Sequence, residues 1–155
     1  MRDKWHRRFL RLAYEISSWS KDEKSKMGAV IMGRDRTPRS FGYNGFPRGV
    51  NDDIKERHER PTKYKFFAHS EANAIYHCAK IGIPIDGCDI YITYLPCSDC
   101  SRAIIQSGIK RIFIPKNAKI DNASKWAEDW VYAKEMLDEA GVEINYVDME
   151  EENGD

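Results

Sequence analysis

The chain has 155 residues, enough for one ordinary domain that buries roughly 70% of the surface its unfolded form exposes, so no staple is required to hold a core. Lys plus Arg and Asp plus Glu both number 25, for a formal net charge of zero, which leaves no global field to draw in a polyanion and argues against a nucleic-acid polymer as partner. No apolar run approaches the ~18 residues of a membrane span, and MRDKWHRRFLRLAYEI lacks the apolar segment and small-residue cleavage site of an export signal, so the expected location is the cytoplasm.

Trp5, Phe9, Leu12, Ile16 and Trp19 recur at intervals of four and three, which predicts an amphipathic helix with those five groups against the core. MGAVIM (27–32) and SFGYN (40–44) are predicted strands, joined as an antiparallel hairpin by the polar GRDRTPR. The stretch 45–65 is long, polar and without periodicity, the signature of a lid or binding loop. HSEANAIYHCAKIG is helical with Gly82 as its stop, and CDIYITYL (88–95) is a strand. Pro96 before and Gly108 after bracket a helix over CSDCSRAIIQSG (97–108), followed by the short strand KRIFIP (110–115). Trp126, Trp130, Ala133, Leu137 and Ala140 keep helical spacing from about Ser124 to Ala140, Gly141 ends that helix, and VEINYV (142–147) is the last strand. The acidic DMEEENGD at 148–155 has the composition of a disordered tail.

Each of the last three predicted strands is preceded by a helix, and connections of that length favour parallel neighbours with right-handed crossovers. The expected fold is therefore α/β: a three-layer α/β/α sandwich around a five-stranded mixed sheet, a single domain over 1–147 with no internal repeat.

Four cysteines, Cys78, Cys88, Cys97 and Cys100, in a chain without an export signal are expected as reduced thiols or metal ligands, not as a disulfide framework. PCSDC (96–100) sets two thiols three apart at the start of a helix, where unpaired N–H groups and the helix dipole favour thiolates. His69 holds the equivalent place on the preceding helix. Two sulfurs and an imidazole suit Zn²⁺, and three protein ligands leave one tetrahedral position for water, as in a catalytic site. Glu71, two residues after His69, is placed to move protons beside that position. His6, His58 and His77 have no partner at ligand spacing and are expected to pack or face solvent, and the scattered aromatic residues make no stacking platform for single strands.

His69-x-Glu71, 24 intervening residues, then Pro96-Cys97-x-x-Cys100 is the H-x-E and P-C-x-x-C pattern of zinc-dependent nucleobase deaminases. With KMGAVIM, GYNGFPRGV (42–50) and CSRAIIQSGIKRI, the chain from about Trp5 to Val147 resembles the deoxycytidylate (dCMP) deaminases of the cytidine deaminase superfamily, of the small bacterial and phage type. Ser70 stands where family members usually carry Ala, and Met27 where they usually carry Val.

The resemblance implies a cytidine deaminase-like fold and hydrolysis of dCMP to dUMP, which feeds thymidylate synthesis. It implies one Zn²⁺ on His69, Cys97 and Cys100, with Glu71 as proton shuttle. It also implies that backbone around Ala68 holds the pyrimidine carbonyl, that the Pro96 carbonyl receives the exocyclic amine, and that Asn44 bonds the sugar hydroxyl. For the 5′-phosphate the nearest basic loop is SKDEKSK, with Ser20 and Lys26 as candidates and Lys116 as a further one. Arg48 and the 45–65 loop are candidates for a lid or an effector site. Family members imply dCTP and dTTP as effectors, the former with Mg²⁺, and a homo-oligomer such as a hexamer. Two alternatives stay open: the same chemistry on 5-substituted dCMP or tRNA adenosine, and a non-enzymatic zinc module in which Cys78 or Cys88 completes a four-ligand set.

Overall fold

A computed structural model describes residues 3–118 and 123–150. Its elements are α1 (Asp3–Ser17), β1 (Gly28–Met32), β2 (Pro38–Tyr43), a 3-10 turn (Lys55–His58), α2 (Lys63–Phe66), α3 (Ser70–Ile81), β3 (Asp89–Ile92), α4 (Ser98–Gln106), β4 (Arg111–Pro115), α5 (Ala127–Glu139) and β5 (Glu143–Val147). The sheet has the order β2-β1-β3-β4-β5; β1 is antiparallel to both neighbours, and β3, β4 and β5 run parallel. The expected mixed five-stranded sandwich is the fold observed.

Alternation along the strands sorts the core into two layers. Ala29, Ile31, Ile90, Ile92, Ile112 and Ile114 face α3, α4 and α5, meeting Ala74, Ile104 and Leu137. Val30, Met32, Tyr91, Phe113 and Val147 face the other way and pack under α1 on Phe9, Leu10, Ala13 and Ile16. Helices therefore cover both sheet faces, and the site-bearing helices α3 and α4 share one of them.

The face of α1 differs from the one predicted. Leu12 is 42% and Trp19 51% exposed, and Trp19 lies beyond the end of the helix. The stripe that meets the sheet is rotated toward His6, Phe9, Leu10, Ala13 and Ile16. A buried histidine fits that stripe because its ring stacks on Phe113 and its Nδ1 lies 2.8 Å from the Tyr91 hydroxyl. Trp19 instead meets Phe41 and Tyr43 edge-on beside β2.

The 45–65 stretch carries more structure than its composition predicts. Phe46 stacks on His58 and Phe66 and meets Phe67 edge-on, so an aromatic cluster holds the 3-10 turn and α2 in place. α5 starts at Ala127, later than expected, after a turn in which Ser124 Oγ accepts from the Trp126 N–H. Of the acidic tail, Met149 packs against the α1 cluster, and residues 151–155 lie outside the described residues. Among the described residues no helix is long and apolar enough to cross a membrane.

Candidate active site

β2 and α3 approach so closely that a Cβ on Gly42 would stand 2.4 Å from the Ser70 carbonyl oxygen. Only glycine permits that approach, and it fixes where α3 begins. Just beyond β2, Gly45 and Ala68 exchange N–H to carbonyl bonds of 3.1 and 2.8 Å, an isolated bridge that aims the chain into His69. His69 is the extended residue capping α3, and Cys97 has the same place on α4, where its sulfur accepts from the Cys100 N–H. Asp129 of α5 accepts from the Ser98 N–H at 2.9 Å and from its hydroxyl at 2.6 Å, which ties the start of α4 to α5.

His69 Nδ1 lies 3.3 Å from Cys97 Sγ and 3.4 Å from Cys100 Sγ, and the three ligating atoms all fall within 4.8 Å of one another. Ideal tetrahedral zinc bonds to nitrogen and sulfur would set those N···S edges at about 3.5 Å. The donor set therefore fits a zinc ion in both chemistry and spacing. Cys78 and Cys88 lie in the core between α3 and the sheet, and neither joins the cluster, so the fourth ligand required by a structural zinc module is not found among the described residues.

The three donor groups perturb one another strongly. Hydrogen bonds from the Cys100 thiol and the His69 ring pull the Cys97 thiol down to about 4 against its burial. The bond to Cys97 raises His69 to about 9, and the bond to Cys97 together with burial pushes the Cys100 thiol up. Glu71 is buried, with the Ser70 hydroxyl donating to its Oε1 at 3.1 Å. Burial raises its pKa, with the charge of His69 opposing. A carboxyl raised in this way is a stronger proton acceptor than a free one.

These groups open on a cavity of about 470 Å³, the size of a small-molecule site. His69, Glu71, Asn44, Pro96 and Cys97 stand on its wall, with Cys100 behind. The Asn44 carboxamide is engaged locally: its Oδ1 accepts from the Met27 N–H at 2.8 Å and its Nδ2 donates to the Ser25 carbonyl at 2.7 Å. That leaves one N–H and one lone pair. Ala68 is off the wall, and its N–H is held by Gly45.

The phosphate candidates fare differently. Ser20 Oγ donates to the Asn44 carbonyl at 2.8 Å and accepts from the Asp22 N–H, so it shapes the loop from behind the wall. Lys26 is exposed off the wall, and Lys116 is exposed and lies 3.7 Å from Asp148. Arg48 is exposed and likewise off the wall.

Sequence reasoning missed the groups that complete the cavity: Asp22 and Lys63, Arg60 and Tyr64, Trp126 and Trp130. Lys63 Nζ reaches Asp22 Oδ2 at 3.0 Å in a buried pair, and Asp22 Oδ1 also accepts from the Lys24 and Ser25 N–H groups. Burial alone would raise the Asp22 pKa, yet the bond to Lys63 and the two amides bring it below the ordinary value. The pair joins residues 41 apart, which no local pattern reveals. Trp126 and Trp130 do keep helical spacing, but that spacing alone does not tell a core face from a cavity wall.

Comparison with known proteins agrees with the geometry. Residues 3–116 match the family model described as the cytidine and deoxycytidylate deaminase zinc-binding region. An uncharacterized deaminase in the luxG 3′ region of Aliivibrio fischeri is 37% identical over 150 residues, covering 97% of this chain and 98% of the relative. A probable deoxycytidylate deaminase of Caenorhabditis elegans is 36% identical over 153 residues, covering 96% of this chain and 73% of the relative. The apo crystal structure of dCMP deaminase from cyanophage S-TIM5 superposes with a TM-score of 0.73 at 25% identity, covering 94% of this chain and 99% of that one. The same cyanophage enzyme with dCMP and dUMP superposes at 0.74 with 24% identity, over 94% and 98% of the two chains. The fold and the His/Cys/Cys site define a zinc-binding deaminase. The chain belongs to the cytidine and deoxycytidylate deaminase family.

Proposed function

We propose that this protein catalyses the hydrolytic deamination of dCMP to dUMP and so supplies dUMP for thymidylate synthesis, with His69, Cys97 and Cys100 holding one Zn²⁺. The observation that carries this reading is the convergence of two thiols and an imidazole within 4.8 Å beside a buried carboxyl on a nucleotide-sized cavity. Zinc bound there supplies the Lewis acidity that makes water a competent nucleophile near neutral pH. Glu71 takes the proton that water gives up and passes it to the pyrimidine N3 as the oxygen adds at C4. It then takes the second proton from the new C4 hydroxyl and gives it to the amino group, so that ammonia leaves as the C4 carbonyl forms. Pro96 lines the wall and its carbonyl accepts from the exocyclic amine in this reading, and the remaining N–H and lone pair of Asn44 serve the sugar hydroxyl.

The relative named for deoxycytidylate and the superposed cyanophage enzyme crystallised with dCMP and dUMP support this choice of substrate. The zero net charge supports a mononucleotide over a tRNA. Homo-oligomeric assembly, control by dTTP and by dCTP with Mg²⁺, and work on the cytoplasmic nucleotide pool belong to the same proposal on the strength of the family resemblance.

Ammonia release from dCMP, deoxycytidine and 5-substituted dCMP tests the substrate. Glu71→Gln is expected to keep its zinc and to lose at least about a thousandfold in turnover, because one group serves both proton transfers. A Glu71→Gln protein that deaminates dCMP at near wild-type rate would reject the assigned role.

A further inference from the structure

The charged groups on the cavity wall are nearly all answered from within the protein. Asp22 is matched by Lys63, Asp129 accepts both Ser98 donors, and Glu71 is buried against Ser70. Arg60 is the exception. It is an exposed residue of the wall whose guanidinium sits 5.9 Å from the Tyr64 ring, with no carboxylate partner among the described residues. Lys125, itself off the wall, brings a second cation to that ring: its Nζ lies 4.1 Å from the ring centroid and donates to the Tyr64 hydroxyl at 3.0 Å. Tyr64 in turn meets Trp126, another wall residue, edge-on. The cavity thus has uncompensated positive charge at one place, where α2 meets the segment before α5.

A guanidinium fork matches a phosphomonoester, with two parallel N–H···O bonds to a dianion. Ser20, Lys26 and Lys116 are all off the wall. Building on the deaminase reading above, we infer that Arg60 is the residue that selects a 5′-monophosphate, with the Tyr64 ring and Lys125 positioning it. Specificity for the nucleotide over the nucleoside would then rest on the 45–65 segment, and the SKDEKSK loop would serve to hold Lys63.

Calorimetric titration of the zinc-loaded protein with dUMP and with deoxyuridine tests this without turnover, beside kcat/KM for dCMP and deoxycytidine. The wild type is expected to prefer the phosphorylated ligand in both measurements. A charge-assisted fork is worth about ten- to a hundredfold in affinity, so Arg60→Ala should shrink the dUMP-to-deoxyuridine preference by that factor. Arg60→Lys, which keeps the charge and loses the fork, should restore part of it and so separates lost charge from lost fold. An Arg60→Ala protein with an undiminished preference, or a wild type with none, overturns the assignment. If the binding preference behaves as expected and neither dCMP nor deoxycytidine releases ammonia, the phosphate assignment stands and the deaminase reading falls.

Discussion

His6 offers a quantitative check on how the sheet face opposite the active site is held. Burial first, then the charge of Arg111, holds its pKa down to about 4 from an ordinary 6.5. The folded protein therefore carries a neutral ring where the unfolded chain takes up a proton as pH falls below about 6.5. A depressed pKa contributes stability that is present above the unfolded value and lost as pH falls toward the folded one. With 6.5 and about 4 as the two values, the loss between about pH 7 and about pH 5.5 integrates to roughly 1 kcal/mol, and full protonation of both states to roughly 3 kcal/mol.

His6→Phe removes this titration and keeps the stack on Phe113. It also deletes the ring nitrogen that partners the Tyr91 hydroxyl, which should cost about 1–2 kcal/mol near neutrality. Urea unfolding of metal-loaded wild type and variant at the two pH values gives the answer as a difference of differences, in which the acid sensitivity of the metal site, on the other face of the sheet, cancels. The variant should be the less stable at about pH 7, and the gap should narrow by roughly 1 kcal/mol at about pH 5.5. A constant or widening gap would mean that His6 titrates normally in the folded protein, and the account of a ring neutralised by burial would be wrong.

Lys63→Met strands the Asp22 carboxylate in a buried place and should lower stability by about 3–5 kcal/mol near neutral pH. Pairing it with Asp22→Asn should recover a large part of that loss in denaturant unfolding, and a single variant within about 1 kcal/mol of wild type contradicts the pair's role. Stripping the metal with a chelator should abolish deamination and make at least one more thiol reactive in the folded protein, that of the half-buried Cys97, while Cys78 and Cys88 stay in the core. A thiol count unchanged by chelation would show that Cys97 holds no metal.

What could be recognised from the residues alone was what is local. Both halves of the metal set open helices, and a helix N-terminus is marked in sequence by the residues that cap it and the elements that precede it. The strand alternation that separates Ile112 and Ile114 from Phe113 is equally local. The cavity wall was not legible in the same way, because its members meet only through the fold. Lys63 finds Asp22 across 41 positions, and Asp129 leaves its own helix to hold the start of another. His6 shows the other limit: a polar letter breaks the apolar stripe of α1, and only the Phe113 and Tyr91 rings make its burial tolerable.

The two kinds of residue also divide the labour. His69 and Glu71 stand at the start of α3, which the Gly42 contact and the Gly45–Ala68 bridge set against β2, and Cys97 at the start of α4, which Asp129 holds. Arg60 lies between the 3-10 turn and α2 and Tyr64 on α2, while Trp126 and Trp130 belong to the start of α5; none of these four lies on a strand. A substitution in the first group perturbs groups that must be placed to within a fraction of an ångström for proton transfer. A substitution in the second changes what the cavity admits while the reacting groups keep their support. On this fold, a change of substrate among phosphorylated, unphosphorylated or ring-substituted cytosines is therefore most accessible through Arg60, Tyr64, Trp126 and Trp130, and a loss of chemistry through the starts of α3 and α4 and the Asp129 that holds the latter.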